Sequence, residues 1–340
     1  MKKKDILVTG GAGYIGSHTI VELYNSGYRP IIVDNLCNSS LHNIKGAEEI
    51  IKDKITFYKV DCTDFVSMDN LFTKEINIKA VIHFAAYKSV EESVRKPKKY
   101  FSNNLGSLEI LLELMQKHKI ENIIFSSSCT VYGSPDNLPV SELAPFKKAE
   151  SPYAETKQLC EKLIEKSQIN SISLRYFNPI GSHSSSLIGD CSADKPNNLL
   201  PIICQVASGK RNSMLIFGND YNTHDGTCVR DYIHVVDLAR AHVMAVTYIL
   251  NNEEIKKAYN IGVGKGVSVK EVIDSFEKIN NIKISYEIGE RRDGDVEKIY
   301  SDNRKINLEL GWFPKMSFSS ALESAWSWEK NNKNQNKKLS

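Results

Sequence analysis

Short apolar runs alternate with stretches of helical periodicity through the first half of the chain. Between the runs, stretches such as 14–25 and 105–118 repeat apolar residues at the spacing of one helix face. Strands that alternate with helices are typical of βαβ units, and apolar runs without polar alternation are typical of strands buried on both faces. The pattern predicts an α/β fold with a Rossmann-type, doubly wound parallel sheet. The predicted strands are 6–9, 30–34, 55–61, 80–85, 122–127 and 171–177.

The alternation of strands and helices loosens after residue 177. A stretch rich in Ser, Gly and Asp, 182–197, predicts a long loop, and such loops are usually functional or disordered. Later elements are shorter and mixed, which favours a smaller mixed α/β lobe that binds substrate. We expect a cofactor-binding Rossmann domain over 1–177, a substrate lobe over 178–330 from which segments such as 259–261 return to the first domain, and a flexible tail over 331–340.

Composition and charge give no reason to expect a nucleic-acid or membrane partner. The net charge is +3, and the lysines clustered at 2–4 and 330–338 are typical of solvated tails. No apolar run is long enough for a membrane span, and the N-terminus lacks the apolar region of a signal peptide. The seven cysteines are scattered without a Cys-x-x-Cys pair. We therefore expect reduced thiols, no metal site and a cytoplasmic location.

A glycine-rich turn follows the first predicted strand. Gly10, Gly13 and Gly16 have the Gly-x-x-Gly-x-x-Gly spacing and open a helical stretch. This arrangement lets the backbone approach a pyrophosphate, whose charge is favoured at a helix N-terminus. Asp34 follows the second strand, where a carboxylate can bind an adenosine ribose and repel the 2′-phosphate of NADP. An ordinary tight turn is the alternative, but the strand before the turn and the helix after it favour NAD.

A tyrosine and a lysine four residues apart form the candidate reacting pair. Tyr153 and Lys157 share one face of a helical stretch that begins at Ser151. A free phenol has a pKa near 10, so a neighbouring ammonium and an oxidised nicotinamide are needed to favour the phenolate. Tyr153 could then accept a proton from a sugar hydroxyl, and one of the serines 126–128 at the end of a predicted strand could donate to the same oxygen. A surface Tyr/Lys pair and a polar strand end are the alternatives.

Together these motifs resemble the UDP-galactose (UDP-glucose) 4-epimerase family of the extended short-chain dehydrogenase/reductase superfamily. The segments that carry the resemblance span nearly the full chain and are 8–18, 34–39, 125–133, 151–157, 174–179 and 225–234. The resemblance implies an isomerase that interconverts UDP-glucose and UDP-galactose with tightly held NAD. Tyr153 would take the 4-hydroxyl proton and NAD the hydride, and the 4-keto sugar would turn over before it is reduced on its other face. A homodimer is also implied, while activity on UDP-GlcNAc and UDP-GalNAc is left open.

The resemblance further implies a role for each matching position. The catalytic residues would be Ser128, Tyr153 and Lys157. NAD would contact these three together with Gly10, Gly13, Tyr14, Ile15, Gly16, Asp34, Asn35, Leu36, Cys37, Asn38, Ser39, Asp61, Cys62, Phe84, Ala85, Ala86, Lys88, Asn103 and Phe177. The UDP-sugar would contact Lys88, Ser128, Tyr153, Asn178, Asn198, Leu199, Leu215, Ile216, Phe217, Arg230, Arg292, Asp295 and Ile299. Arginine suits bidentate recognition of a diphosphate, although surface arginines are the alternative.

Three positions bear on the choice among related activities. Ile299 stands where the family gates access for the C2 substituent of the sugar, and it either forms that gate or only packs against its neighbours. A sugar-nucleotide 4,6-dehydratase carries an acidic pair where this chain has Cys129 and Thr130, so water elimination would lack its acid. A pentose or uronate 4-epimerase stays open. A catalytically inactive NAD-sensing protein also stays open, although such proteins usually lack the tyrosine or the lysine of the candidate pair.

Overall fold

The six strands of the first half, β1 to β6, and one strand of the second half, β10, form a seven-stranded sheet in which every neighbouring pair is parallel, in the order β3-β2-β1-β4-β5-β6-β10. The computed structural model describes residues 3–191, 198–292 and 294–339. The predicted fold class is confirmed, because apolar strands are covered by helices on both faces of this sheet. Its strands are β1 (Asp5–Thr9), β2 (Arg29–Val33), β3 (Thr56–Tyr58), β4 (Ile78–His83), β5 (Asn122–Ser128), β6 (Asn170–Tyr176) and β10 (Lys256–Ile261).

Successive residues of β1 enter two different hydrophobic clusters. Ile6 and Val8 belong to one cluster, and Leu7 belongs to the other. Alternate side chains of a strand point to opposite faces of the sheet, so each cluster covers one face. The helices of the first half are α1 (Tyr14–Asn25), α2 (Leu41–Ile51), α3 (Phe65–Lys74), α4 (Val90–Arg95), α5 (Pro97–Tyr100), a π-helix (Phe101–Leu105), α6 (Gly106–Lys117), a 3₁₀-helix (Cys129–Tyr132) and α7 (Pro152–Lys166).

The second half contributes two smaller sheets and a third hydrophobic cluster. Strands β7 (Asn178–Ile180), β9 (Val229–His234), β11 (Gly266–Ser268) and β13 (Lys298–Ile299) form one sheet, and β8 (Met214–Phe217) pairs with β12 (Tyr286–Gly289). Its helices are α8 (Leu199–Ala207), α9 (Val235–Ile249), α10 (Val269–Asn280), α11 (Arg304–Leu310) and α12 (Phe318–Leu339). None of the helices described is both long and apolar enough to cross a bilayer.

The chain after residue 177 differs in detail from the sequence-based expectations. Segment 259–261 lies in β10, which pairs with β6, while the proposed division into domains stays a prediction. Helix α12 continues to Leu339 through the segment expected to be a flexible tail, which contains no Gly or Pro, and the flexibility of that tail stays a prediction. Of the predicted loop 182–197, residues 192–197 lie outside the described residues, as do Lys2 and Ser340 at the ends.

Candidate active site

The glycine-rich turn joins the carboxyl end of β1 to the first turn of α1. Gly10 has a φ of +68°, and a Cβ atom at Gly16 would lie 2.5 Å from the Gly10 carbonyl oxygen. Helix α1 has Gly13 as its N-cap, and its first turn has neither a side-chain cap nor an acidic residue. The backbone N–H groups of this turn can therefore bind a phosphate, since a helix N-terminus attracts negative charge.

Asp34 organises the loop that faces this turn. One of its carboxylate oxygens accepts from the Ala12 N–H at 3.1 Å, and the other accepts from Leu36 N–H and the Ser39 hydroxyl, both at 2.8 Å. A carboxylate has about four acceptor sites, so a ribose hydroxyl can still bind there. In the structure Asp34 thus joins the phosphate-binding turn to loop 34–39, and its contact with a ribose stays a prediction.

Helix α7 presents the reacting pair to the end of β5. The Ser151 hydroxyl caps α7 by accepting from the Ala154 N–H at 3.2 Å. Lys157 is only 4% exposed, and its Nζ atom donates to the Ser126 carbonyl at 2.6 Å. The same Nζ atom lies 6.0 Å from the centre of the Tyr153 ring. Lys157 is therefore buried and Tyr153 is half-buried, so the two do not form an exposed surface pair.

Burial shifts the pKa values of both candidate reacting groups in the direction that favours their neutral forms. It raises the pKa of the Tyr153 phenol to about 12, opposed by a hydrogen bond with Ser128, and it lowers the pKa of Lys157 to about 8. The protein alone thus raises the pKa of the phenol despite the nearby Lys157, and the expectation that the ammonium and an oxidised nicotinamide together favour the phenolate stays a prediction. Tyr153 is therefore protonated at neutral pH unless bound molecules bring positive charge.

One cavity of about 410 Å³ collects most of the predicted residues at the carboxyl edge of the large sheet. Binding at this edge is general in open α/β sheets. The predicted residues that line the cavity are Gly10, Gly13, Tyr14, Ile15, Gly16, Asp34, Asn35, Cys37, Asn38, Ser39, Asp61, Cys62, Phe84, Ala85, Ala86, Lys88, Asn103, Ser128, Tyr153, Lys157, Phe177, Asn178, Asn198, Arg230, Arg292, Asp295 and Ile299.

A second cavity of about 220 Å³ shares Tyr14, Asn178 and Arg230 with the first. It also contains Leu199, Leu215, Ile216 and Phe217, which were predicted to hold the UDP-sugar and do not line the larger cavity. Leu36 lines neither cavity and packs against the hydrophobic cluster that contains Ile6 and Val8. The predicted cofactor and sugar residues are thus distributed over two cavities with common walls.

Two arginines converge on one carboxylate where the cavities meet. The Arg292 guanidinium makes two hydrogen bonds to Asp295, at 2.7 and 3.1 Å, and Arg230 Nη2 lies 3.6 Å from the same carboxylate. The Arg230 side chain is 15% exposed, so it is not a surface residue. Two positive charges against one negative charge leave a net positive charge that suits a diphosphate.

Ile299 both packs against its neighbours and forms a wall of the larger cavity. It lies opposite Arg230 in the β9–β13 pair, is 4% exposed, and packs with Cys129 and Phe177. Burial raises the pKa of the Cys129 thiol to about 12, so this thiol is a poor acid at neutral pH. The structure therefore places no acidic side chain at positions 129 and 130, where a dehydratase needs one.

Asn43 and Asp190 are among the polar residues of the cavity that were missed in the sequence. Asn43 is fully buried; its amide donates to the carbonyls of Ala12 and Gly189, and its oxygen accepts from the Gly189 N–H. Asp190 lies 3.9 Å from Lys88 across the cavity. Both contacts join segments more than 100 residues apart, and neither residue belongs to a motif that would mark it.

Comparison with known proteins agrees with this geometry. A family profile described as GDP-mannose 4,6 dehydratase matches residues 7–325. The UDP-glucose 4-epimerase of Dictyostelium discoideum is 46% identical over 334 residues, which cover 97% of this chain and 96% of that protein. The enzyme of the same name from Bacillus subtilis is also 46% identical, with 97% and 98% covered. The chain belongs to the UDP-glucose 4-epimerase family.

Solved structures of UDP-glucose 4-epimerases have the same fold as this family member. The enzyme from Stenotrophomonas maltophila has a TM-score of 0.94 at 40% identity, covering 98% of this chain and 99% of that one. The enzyme from Bifidobacterium longum has a TM-score of 0.93 at 42% identity, covering 97% and 99%. The matching profile takes its description from a dehydratase. The lack of acidic side chains at positions 129 and 130 nevertheless agrees with membership of the epimerase family.

Proposed function

We propose that the chain catalyses the reversible C4 epimerisation of UDP-glucose and UDP-galactose with NAD held in the larger cavity. The observation that carries the proposal is that one cavity contains the phosphate-binding turn, the Tyr153–Lys157 pair and the Arg230–Arg292 pair. The S. maltophila structure has bound NAD and formylated UDP-arabinopyranose, and the B. longum structure is a complex with NAD+ and UDP. The arrangement of phosphate, base and arginine groups here suits the same two classes of ligand.

The residues around the glycine-rich turn fit NAD. The turn offers uncapped N–H groups to a diphosphate, and Asp34 offers an acceptor to a ribose, while no arginine stands next to it in the sequence for a 2′-phosphate. When bound, NAD supplies a hydride acceptor and a positive charge close to the phenol. That charge favours the Tyr153 phenolate, which the protein alone does not.

The side chains of this chain divide the work of proton transfer and anchoring. Tyr153 accepts the proton of the 4-hydroxyl and returns it after the sugar has turned, while Ser128 hydrogen-bonds the reacting oxygen. Lys157 keeps a positive charge beside Tyr153 as the phenolate forms. Arg230 and Arg292 hold the diphosphate, so the nucleotide stays anchored while the 4-keto sugar is free to rotate.

The direct test is chromatographic analysis of the products from UDP-galactose, with purified protein and no added NAD. We expect UDP-glucose to form until both sugars reach equilibrium, which would establish the reaction and the retained cofactor. A 4-keto-6-deoxy product would instead indicate a dehydratase. Turnover of UDP-arabinopyranose with none of UDP-galactose would favour a pentose epimerase, and no turnover of either with added NAD would contradict the proposal.

We further propose that N-acetylated UDP-hexosamines are accepted, because Ile299 leaves more room at the cavity wall than a tyrosine would. Ile299→Tyr is expected to lower kcat/KM for UDP-GalNAc about tenfold or more, which corresponds to about 1.4 kcal/mol of steric cost. The kcat/KM for UDP-galactose should change by less than about threefold, since a plain hydroxyl needs less space. Failure of the unmodified protein to convert UDP-GalNAc would contradict this specificity.

Asn43 is predicted to keep the cofactor in place by joining the phosphate-binding turn to segment 181–191. Asn43→Ala removes its hydrogen bonds to Ala12 and Gly189, each worth about 1 kcal/mol. We expect the variant to lose NAD during gel filtration and to regain activity when NAD is added. Asn170→Ala, which removes an asparagine that joins strands at the opposite sheet edge, should keep its NAD. Equal retention in both variants would refute this role.

The homodimer and the cytoplasmic location stay predictions. Light scattering coupled to gel filtration measures the first, and fractionation of cells that express the chain measures the second.

A further inference from the structure

The reacting residues of α7 are held by the serine run 126–128 at the carboxyl end of β5. Ser128 lines the same cavity as Tyr153 and lowers the pKa of its phenol, and the Ser126 carbonyl accepts from Lys157 at 2.6 Å. Both serines thus act on residues of the reaction proposed above. The middle serine of the run, Ser127, also binds a side chain of α7. That side chain has no role in the reaction proposed above.

That partner is Glu161, which lies one helical turn beyond Lys157 on the same face of α7. The Ser127 hydroxyl donates to the Glu161 carboxylate, and Arg175 Nη2 donates to it at 2.7 Å. Both side chains of this ion pair are 8% exposed. Buried ion pairs add little stability compared with apolar side chains of the same size, so stability alone does not explain a carboxylate at this position.

The ion pair continues into a buried network behind the site. Arg175 Nη1 donates to the Tyr132 hydroxyl at 2.9 Å, and that hydroxyl donates to the Asn260 side chain at 2.6 Å. The Asn260 amide in turn donates to the Val140 carbonyl at 2.9 Å. Hydrogen bonds thus connect Glu161, through Arg175, to β6, to the 3₁₀-helix after β5 and to β10. Its bond with Ser127 connects the same network to the serine run.

We propose that Glu161 is a positioning residue for the epimerisation: it fixes the serine run against α7 through Ser127 and places its carboxylate one helical turn from Lys157. This inference rests on the proposed function. Glu161 does not line either cavity, so it acts through its neighbours and touches neither the sugar nor the cofactor.

The charges around Lys157 support the second part of this role. Burial lowers the pKa of Lys157 to about 8, and Cys160 and Glu161 oppose this shift. Burial raises the pKa of Cys160 to about 11, so the thiol is neutral at pH 7, and the other acidic group near Lys157 is Glu161, which is paired with Arg175. The titratable groups that face Lys157 are Tyr153, Cys160 and Glu161 on α7, His83 on β4 and Arg175 beyond Glu161 on β6.

The first experiment removes the carboxylate charge with Glu161→Gln and measures kcat for UDP-galactose as a function of pH. The ammonium form of Lys157 is present below its pKa and lost above it, and removal of a nearby negative charge lowers that pKa. The alkaline fall of kcat should therefore move to lower pH than in the unmodified protein. Asp5→Asn removes a buried, paired carboxylate at the far end of β1 and should leave the profile in place.

The second experiment keeps the ion pair and removes only its link to the serine run. Ser127→Ala should lower kcat about tenfold, the equivalent of one lost hydrogen bond, with KM changed by less than about twofold. Ser127→Thr, which keeps the hydroxyl, should recover most of the rate, and Ser171→Ala, a buried serine at the other end of the sheet, should match the unmodified protein.

Circular dichroism and the content of bound NAD establish that each variant is folded. A Glu161→Gln profile that coincides with that of the unmodified protein, or an unchanged kcat in Ser127→Ala, would overturn the inference. A proposed function that is wrong would be recognised separately, because the unmodified protein would then fail to convert UDP-galactose.

Discussion

Tyr153→Phe is expected to lower kcat for UDP-galactose by about 10²–10⁴-fold, with KM changed little. We propose the phenol as the group that accepts the 4-hydroxyl proton, since it lines the larger cavity and lies on the face of α7 that carries Lys157. Phenylalanine keeps the ring and its packing, so the fold and the bound NAD should be retained. Product formation under single-turnover and steady-state conditions, with NAD content measured in parallel, checks this prediction.

A matched control for Tyr153→Phe is Tyr28→Phe. The Tyr28 hydroxyl is within 2.9 Å of the Thr247 hydroxyl, away from both cavities, so its loss should leave kcat unchanged. An unchanged rate in Tyr153→Phe would show that another group takes the proton. Absence of turnover in the unmodified protein would instead favour the NAD-sensing alternative, in which the pair is present but idle.

The parts of the site that could be predicted from sequence are those with local spacing. Gly10, Gly13 and Gly16 lie within one turn and its helix, and Tyr153 and Lys157 are one helical turn apart. Such spacing fixes the geometry without knowledge of the rest of the fold. The alternation of strands and helices predicted the parallel sheet for the same reason, because each βαβ unit is formed by a continuous segment of about thirty residues.

The parts that could not be predicted depend on burial and on contacts far apart in sequence. Asn43 and Glu161 resemble the polar residues of an exposed helix face, yet the fold buries both. Their partners Gly189 and Arg175 come from other elements of the chain. The raised pKa of Tyr153 was missed for the same reason: the sequence shows a neighbouring lysine but not the desolvation that outweighs it.

The second large effect is expected from Gly16→Ala, which adds one methyl group to the first turn of α1. Its Cβ atom would lie 2.5 Å from the Gly10 carbonyl oxygen and 2.8 Å from Gly11 Cα. Both contacts are with backbone, so the phosphate-binding turn must move. Two charge-assisted hydrogen bonds lost from its N–H groups would weaken NAD binding by about 3 kcal/mol, or about 10²-fold.

Cofactor content of the purified variant and titration of NAD into the stripped protein measure this loss. Gly106→Ala is the matched control, because a Cβ atom at that helical position meets no atom within 4 Å. It should keep full NAD content and gain about 0.5–1 kcal/mol of stability, since alanine favours a helix. Full NAD content in Gly16→Ala would mean that the turn tolerates the methyl group. The close approach of its backbone to the diphosphate would then not be what holds the cofactor.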